Sequence, residues 1–197
     1  MRNYLTNLSI KRLFAQLLIK VYAQITKNIA AWSIKVKPNI VLDSFDLKIL
    51  RELQKNGALS NQDLAESIGL TSAPCSRRVK SLEERGIIKD RVIRVDEHAL
   101  SLDLFAILHI SMDKHIPERF AEFERVISTF EEVIECYLIT GHDADYQLKI
   151  AVPNMDRYHD LLLGKITRIT GVSGVKSAFI MRKIVDTTAL PMNYTNS

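Results

Sequence analysis

Only Gly69, Leu70 and Thr71 separate two segments that carry strong helix punctuation, and so short a link admits few folds. Upstream, Leu42, Asp43, Asp46 and Leu47 fit the N′, N-cap, N3 and N4 positions of a stapled capping box, and Gly57 ends that helix. Leu59, Ser60, Asp63 and Leu64 repeat the pattern, with Gly69 as the stop. A third start follows at once in Leu70, Thr71 and Cys75, with Pro74 in the first turn, where its missing N–H removes no intrahelical bond. Three residues suit the corner of a helix-turn-helix, and Ala65 is small where the helices would cross.

At helical spacing the third segment divides into two stripes. Cys75, Val79 and Leu82 fall on one side and are expected to face inward with Leu47, Leu50, Leu53, Leu64 and Ile68. Ser72, Ala73, Ser76, Arg77 and Lys80 fall on the other. Short side chains near the helix N-terminus let the backbone approach a major-groove floor, while Arg77, Arg78 and Lys80 can reach bases or phosphates. The plainer reading is the solvated face of a helical bundle. Against it stands "RGIIKDRVIRV", which predicts a wing that brings Lys89, Arg91 and Arg94 beside the reading helix. Ser60, Asn61 and Gln62, with the N-terminal amides of the second helix, are the expected phosphate contacts.

Net charge alone does not establish nucleic-acid binding. The formal +4 is concentrated in residues 1–40, which hold seven Lys or Arg and no acid, whereas residues 95–197 hold ten basic and fifteen acidic residues. Residues 1–40 also place Ile10, Leu13, Phe14, Leu17, Leu18, Val21, Tyr22 and Ile25 on a helical stripe, predicting a basic amphipathic extension. Its apolar runs, broken by Lys11, Arg12, Lys20 and Lys27, fall short of the roughly twenty residues a membrane span needs. It reads as a targeting or surface helix, a helix added to the domain, or a stretch ahead of the true start; no cleavage signature favours targeting. Cys75 and Cys136 lie in apolar periodic segments, so buried thiols and a cytoplasmic setting are expected.

From "LFAILHISM" onward the periodicity alternates strand, helix, strand, strand, helix, strand, the order of a ferredoxin-like sandwich. The expected class is therefore α+β: an extension over 1–40, a winged helix-turn-helix over 41–98 and a ferredoxin-like domain over 99–197. Apolar residues on both sides of "LFAILHI" call for a second cover over the sheet, which a twofold mate supplies. The polar loop "TGHDADY" offers Thr140, Gly141, Asp143, Ala144, Asp145 and Tyr146 as an effector site, with loop amides on an amino acid's carboxylate and an Asp on its ammonium. Asp145, beside Tyr146, is the expected ammonium contact. A solvated hairpin turn explains the same residues.

Taken together, the recognition helix with its "PC", "RV" and "L", the run "ECYLITG", the "DY" of the loop, "VPNM" and "TGV" resemble the Lrp/AsnC family of feast/famine transcription regulators, from about Leu42 to about Pro191. The resemblance implies double-stranded DNA as partner, an amino-acid effector held at the loop between dimers, and dimers that assemble further, often to octamers, on the nucleoid. It implies no cofactor, no metal and no membrane. Two features depart from it: Gly141 stands one residue further from Asp145-Tyr146 than the family's Gly-x-x-Asp-Tyr, and the forty-residue extension has no family counterpart. Sirohaem decarboxylases share the architecture and are the enzyme alternative, and a DNA-wrapping architectural protein is the other. No phosphate loop, metal-spaced His pair or Ser-His-Asp order favours an enzyme.

Overall fold

The computed structural model describes residues 41–140 and 143–193, so the amphipathic extension and Gly141 lie outside the described residues. The chain forms two units: one runs through Lys89 and resumes at Leu190, and the other spans Asp90–Ala189. In the first unit lie α1 (Ser44–Lys55), α2 (Asn61–Ile68) and α3 (Ser72–Glu84). Asp43 Oδ1 accepts from the Phe45 and Asp46 amides, both at 2.9 Å, and Asp46 Oδ2 accepts from the Asp43 amide, completing a reciprocal cap. Ser60 Oγ accepts from the Asp63 amide at 3.1 Å. Gly69 ends α2 in the left-handed region at φ 76°, where a side chain would be strained. Thr71 makes no side-chain cap, so α3 starts on its turn geometry alone.

These three helices close over Ile49, Leu64, Ala65, Ile68, Cys75, Val79 and Leu82, with Leu50 and Leu53 packed at the margin. Ile49, rather than the expected Leu47, is fully buried. Each such aliphatic side chain contributes about 1.5 to 3 kcal/mol relative to exposure. After α3 the Ile87 and Ile88 amides fold back onto the Leu82 carbonyl. Residues 89–95 then carry no regular secondary structure and join no sheet among the described residues. The basic segment is there, but its strand pairing is not.

The second unit contains β1 (Leu104–Met112), α4 (Pro117–Ile127), β2 (Val133–Leu138), β3 (Tyr146–Val152), α5 (Met155–His159) and β4 (Val172–Phe179). A π-helical stretch, Asp160–Lys165, and a 3-10 turn, Ile166–Arg168, prolong α5. The sheet order is β2-β3-β1-β4 with every neighbour antiparallel, the ferredoxin-like arrangement. Ala106, Leu108, Ile110, Leu148 and Ile150 bury one face of the sheet with Phe123, Ile127, Leu161 and Ile166. Register puts Phe105, Ile107, His109 and Ser111 of β1 on the opposite face with Gln147, Lys149 and Lys176. That face is mixed, not apolar as "LFAILHI" suggested, because its β3 and β4 neighbours bring amides and ammonium groups. The two cysteines also part company: Cys75 is buried, but Cys136 stands exposed on edge strand β2. Among the described residues no helix is long and apolar enough to cross a membrane.

Candidate nucleic-acid interface and effector loop

The exposed face of α3 follows from its burial pattern. With Cys75, Val79 and Leu82 locked inward, Ser72, Ala73, Arg77 and Lys80 are exposed and Ser76 is half-buried between them. Among the described residues Arg77 has no hydrogen-bond or ion-pair partner, so its guanidinium is available to an acceptor outside the chain. Among the described residues Lys80 has only a 3.8 Å pairing with Glu84 one turn on, both side chains well exposed. Such a pair contributes little and yields readily to a phosphate.

Arg78 behaves differently. Its Nη1 donates to Asp43 Oδ2 at 2.6 Å and to Asp46 Oδ1 at 2.8 Å, while its guanidinium lies 5.5 Å from the Phe45 ring centroid. The Asp46 amide, more than the Arg78 guanidinium, holds the Asp43 carboxyl below its ordinary range. The two carboxylates raise the Arg78 guanidinium further. Sequence spacing sets Arg78 beside Arg77, but the fold turns it toward α1. Ser60 is likewise engaged, capping α2 and donating to Asp63 at 2.7 Å. Asn61 and Gln62 are exposed in the same turn, with the acidic Asp63 next to them. Lys89 is exposed and, among the described residues, unpartnered. Arg94, by contrast, donates to the Asp186 carbonyl at 2.9 Å and to its carboxylate at 2.5 Å. Arg91 is exposed and also has a partner.

In the loop before β3 the five described residues of the expected site separate into anchors and exposed groups. Ala144 and Tyr146 are buried, and the Tyr146 hydroxyl donates to Glu124 Oε1 at 2.8 Å. Burial first, and then Glu124, pushes that phenol well above its ordinary pKa. Asp145 is spent on the protein: Oδ2 accepts from the Met112 amide at 2.7 Å and Oδ1 lies 2.7 Å from His115 Nε2. Its backbone bonds Ile110 and Ile139 as well. Thr140 and Asp143 are the exposed members, and Asp143 pairs with the equally exposed Lys176. Sequence reasoning missed Lys176, His115 and Glu124, which reach the loop from β4, the β1–α4 connection and α4. No group of His, Cys, Asp and Glu among the described residues is set to hold a metal ion.

Residues 42–89 match the winged helix-turn-helix DNA-binding model, and residues 105–190 match the Lrp/AsnC ligand binding domain. The leucine-responsive regulatory protein of Haemophilus influenzae is 38% identical over 154 residues, which are 78% of this chain and 92% of that protein. A transcriptional regulator from Neisseria meningitidis, crystallised as its L-methionine complex, superposes with a TM-score of 0.75 at 33% identity, covering 78% of this chain and 98% of that one. An AsnC family regulator from Agrobacterium tumefaciens gives 0.74 at 36% identity, covering 79% and 100%. A helix-turn-helix with an outward basic face, a ferredoxin-like sheet and likeness along the length of these relatives lead to one conclusion: the chain belongs to the Lrp/AsnC family of transcriptional regulators.

Proposed function

We propose that this regulator reads DNA with the exposed face of α3 and adjusts its affinity on binding an amino acid at the loop before β3. The observation that carries the first part is the unpartnered guanidinium of Arg77 beside Ser72, Ala73, Ser76 and Lys80, on a helix whose other side is fixed in the core. Arg77 reads a base edge, while Lys80, Lys89 and the N-terminal turn of α2 with Asn61 and Gln62 hold phosphates. Arg91, exposed two residues beyond Lys89, is a further candidate phosphate contact.

For the second part, Asp143 replaces Asp145 as the ammonium contact, because both Asp145 oxygens already serve the fold. An incoming amino acid presents an ammonium to Asp143 and a carboxylate to Lys176 or to the loop amides near Thr140 and Gly141, exchanging one exposed ion pair for two. The L-methionine complex of the Neisseria relative supports an amino acid as the ligand class. Homodimers form through the open sheet face with Phe105 and Ile107, and associate further, to octamers, in the cytoplasm on the nucleoid. Isothermal calorimetry with the twenty amino acids tests the effector reading. At least one should give heat that disappears in Asp143→Ala, and silence from all twenty refutes an amino-acid effector.

A further inference from the structure

We propose that Arg78 is a positioning residue for DNA reading: it locks the rotation of α3 against the capped N-terminus of α1, and so sets how Arg77 and Lys80 meet the groove. The packing of Cys75, Val79 and Leu82 against Ile49 and Leu64 holds α3 in place, but apolar contact is non-directional and tolerates a roll of the helix. The bonds from Arg78 are directional. One nitrogen bridges Asp43 and Asp46 at 2.6 and 2.8 Å. The remaining oxygen of each carboxylate is committed to the cap, Asp43 Oδ1 to the Phe45 and Asp46 amides and Asp46 Oδ2 to the Asp43 amide.

Neither acid can therefore follow α3 if it turns, because doing so breaks the first turn of α1. Asp46 is also the one buried charged or polar side chain among the described residues. Its side chain is only 10% exposed, so its charge leans on Arg78 for compensation. The Phe45 ring under the guanidinium closes the remaining side of the clamp. Arg77 directly precedes Arg78, about 100° around the helix, so a roll of α3 transfers without attenuation to the reading side chain.

The test uses the full chain and DNA sites selected from a random pool. Affinity for a selected site and for a random duplex is measured across a salt series for the parent, Asp46→Asn, Arg78→Ala and Arg78→Lys. Asp46→Asn is decisive, since Asn keeps the volume and an oxygen for the cap, and a buried acid makes no DNA contact of its own. The clamp predicts that Asp46→Asn and Arg78→Ala both lower the ratio of specific to random affinity about tenfold, the effect of one mismatched base pair, with the salt slope of the parent. Arg78→Lys, which keeps the charge and one donor, should recover part of that ratio and stands in if Arg78→Ala does not fold. An Asp46→Asn ratio equal to the parent's overturns the proposal. So does an Arg78→Ala salt slope shallower by about one with weakened random binding, the signature of a direct phosphate contact.

Discussion

Asp145→Ala should destabilise the second unit although it sits in the loop assigned to the effector. Its Oδ2 is the acceptor for the Met112 amide at 2.7 Å, and Met112 is only 6% exposed. Deleting the carboxylate leaves a buried donor without a partner, which costs about 1 to 3 kcal/mol. The His115 contact adds less: the imidazole side chain is 63% exposed, so solvent screening limits it to about 0 to 1 kcal/mol. The sum is about 2 kcal/mol for Asp145→Ala. Asp145→Asn retains an oxygen for the Met112 amide and should cost less than about 1 kcal/mol. Asp143→Ala removes only an exposed ion pair and should stay within about 0.5 kcal/mol of the parent. Urea unfolding of the full chain gives the stabilities, and amide hydrogen exchange at Met112 reports the broken bond directly. Parent-like exchange at Met112 in Asp145→Ala, or a larger loss in Asp143→Ala, refutes this division of labour within the loop.

Arg77→Ala should weaken binding to a selected site by about 1 to 3 kcal/mol while barely changing random DNA, and Lys80→Ala should weaken both alike and reduce the salt slope by about one; fluorescence anisotropy measures both. Ile107→Asp places a carboxylate on the open sheet face and should shift the full chain toward monomer in light scattering, whereas an unchanged mass removes that face from the dimer contact. Acid stability offers a further check. The Asp43 carboxyl is held below its ordinary 3.8, so its contribution is present above that pH and fades as pH falls through the lowered value. Asp43→Asn should flatten the stability curve there, and an equally steep acid limb in parent and variant counts against the cap-and-clamp arrangement.

The parts legible in the sequence were those with a local signature. Asp43 with Asp46, Ser60 with Asp63, and Gly69 announce helix ends because the groups they satisfy lie within four residues. Strand and helix periods gave the βαββαβ order for the same reason. Periodicity does not say which strand lies at the edge, so Cys136 in "VIECYL" looked buried but is exposed on β2. Nor does it choose partners across long separations. Arg78 reaches Asp46 across 32 positions and Met112 reaches Asp145 across 33, bonds that no local pattern announces. The return of the chain to the first unit was equally hidden. The Gln54 side-chain amide bonds both backbone groups of Leu190, at 2.6 and 3.3 Å, through two residues 136 positions apart.

One chain here reads a DNA sequence and changes its grip when an amino acid binds. Selection of sites from a random DNA pool by the full protein, without and with each of the twenty amino acids, tests it most directly. The expected result is enrichment of a motif with twofold symmetry and, for at least one amino acid, a shift in affinity for that motif of about 5- to 150-fold. A pool that stays random under all conditions, or a motif whose affinity no amino acid alters, contradicts it.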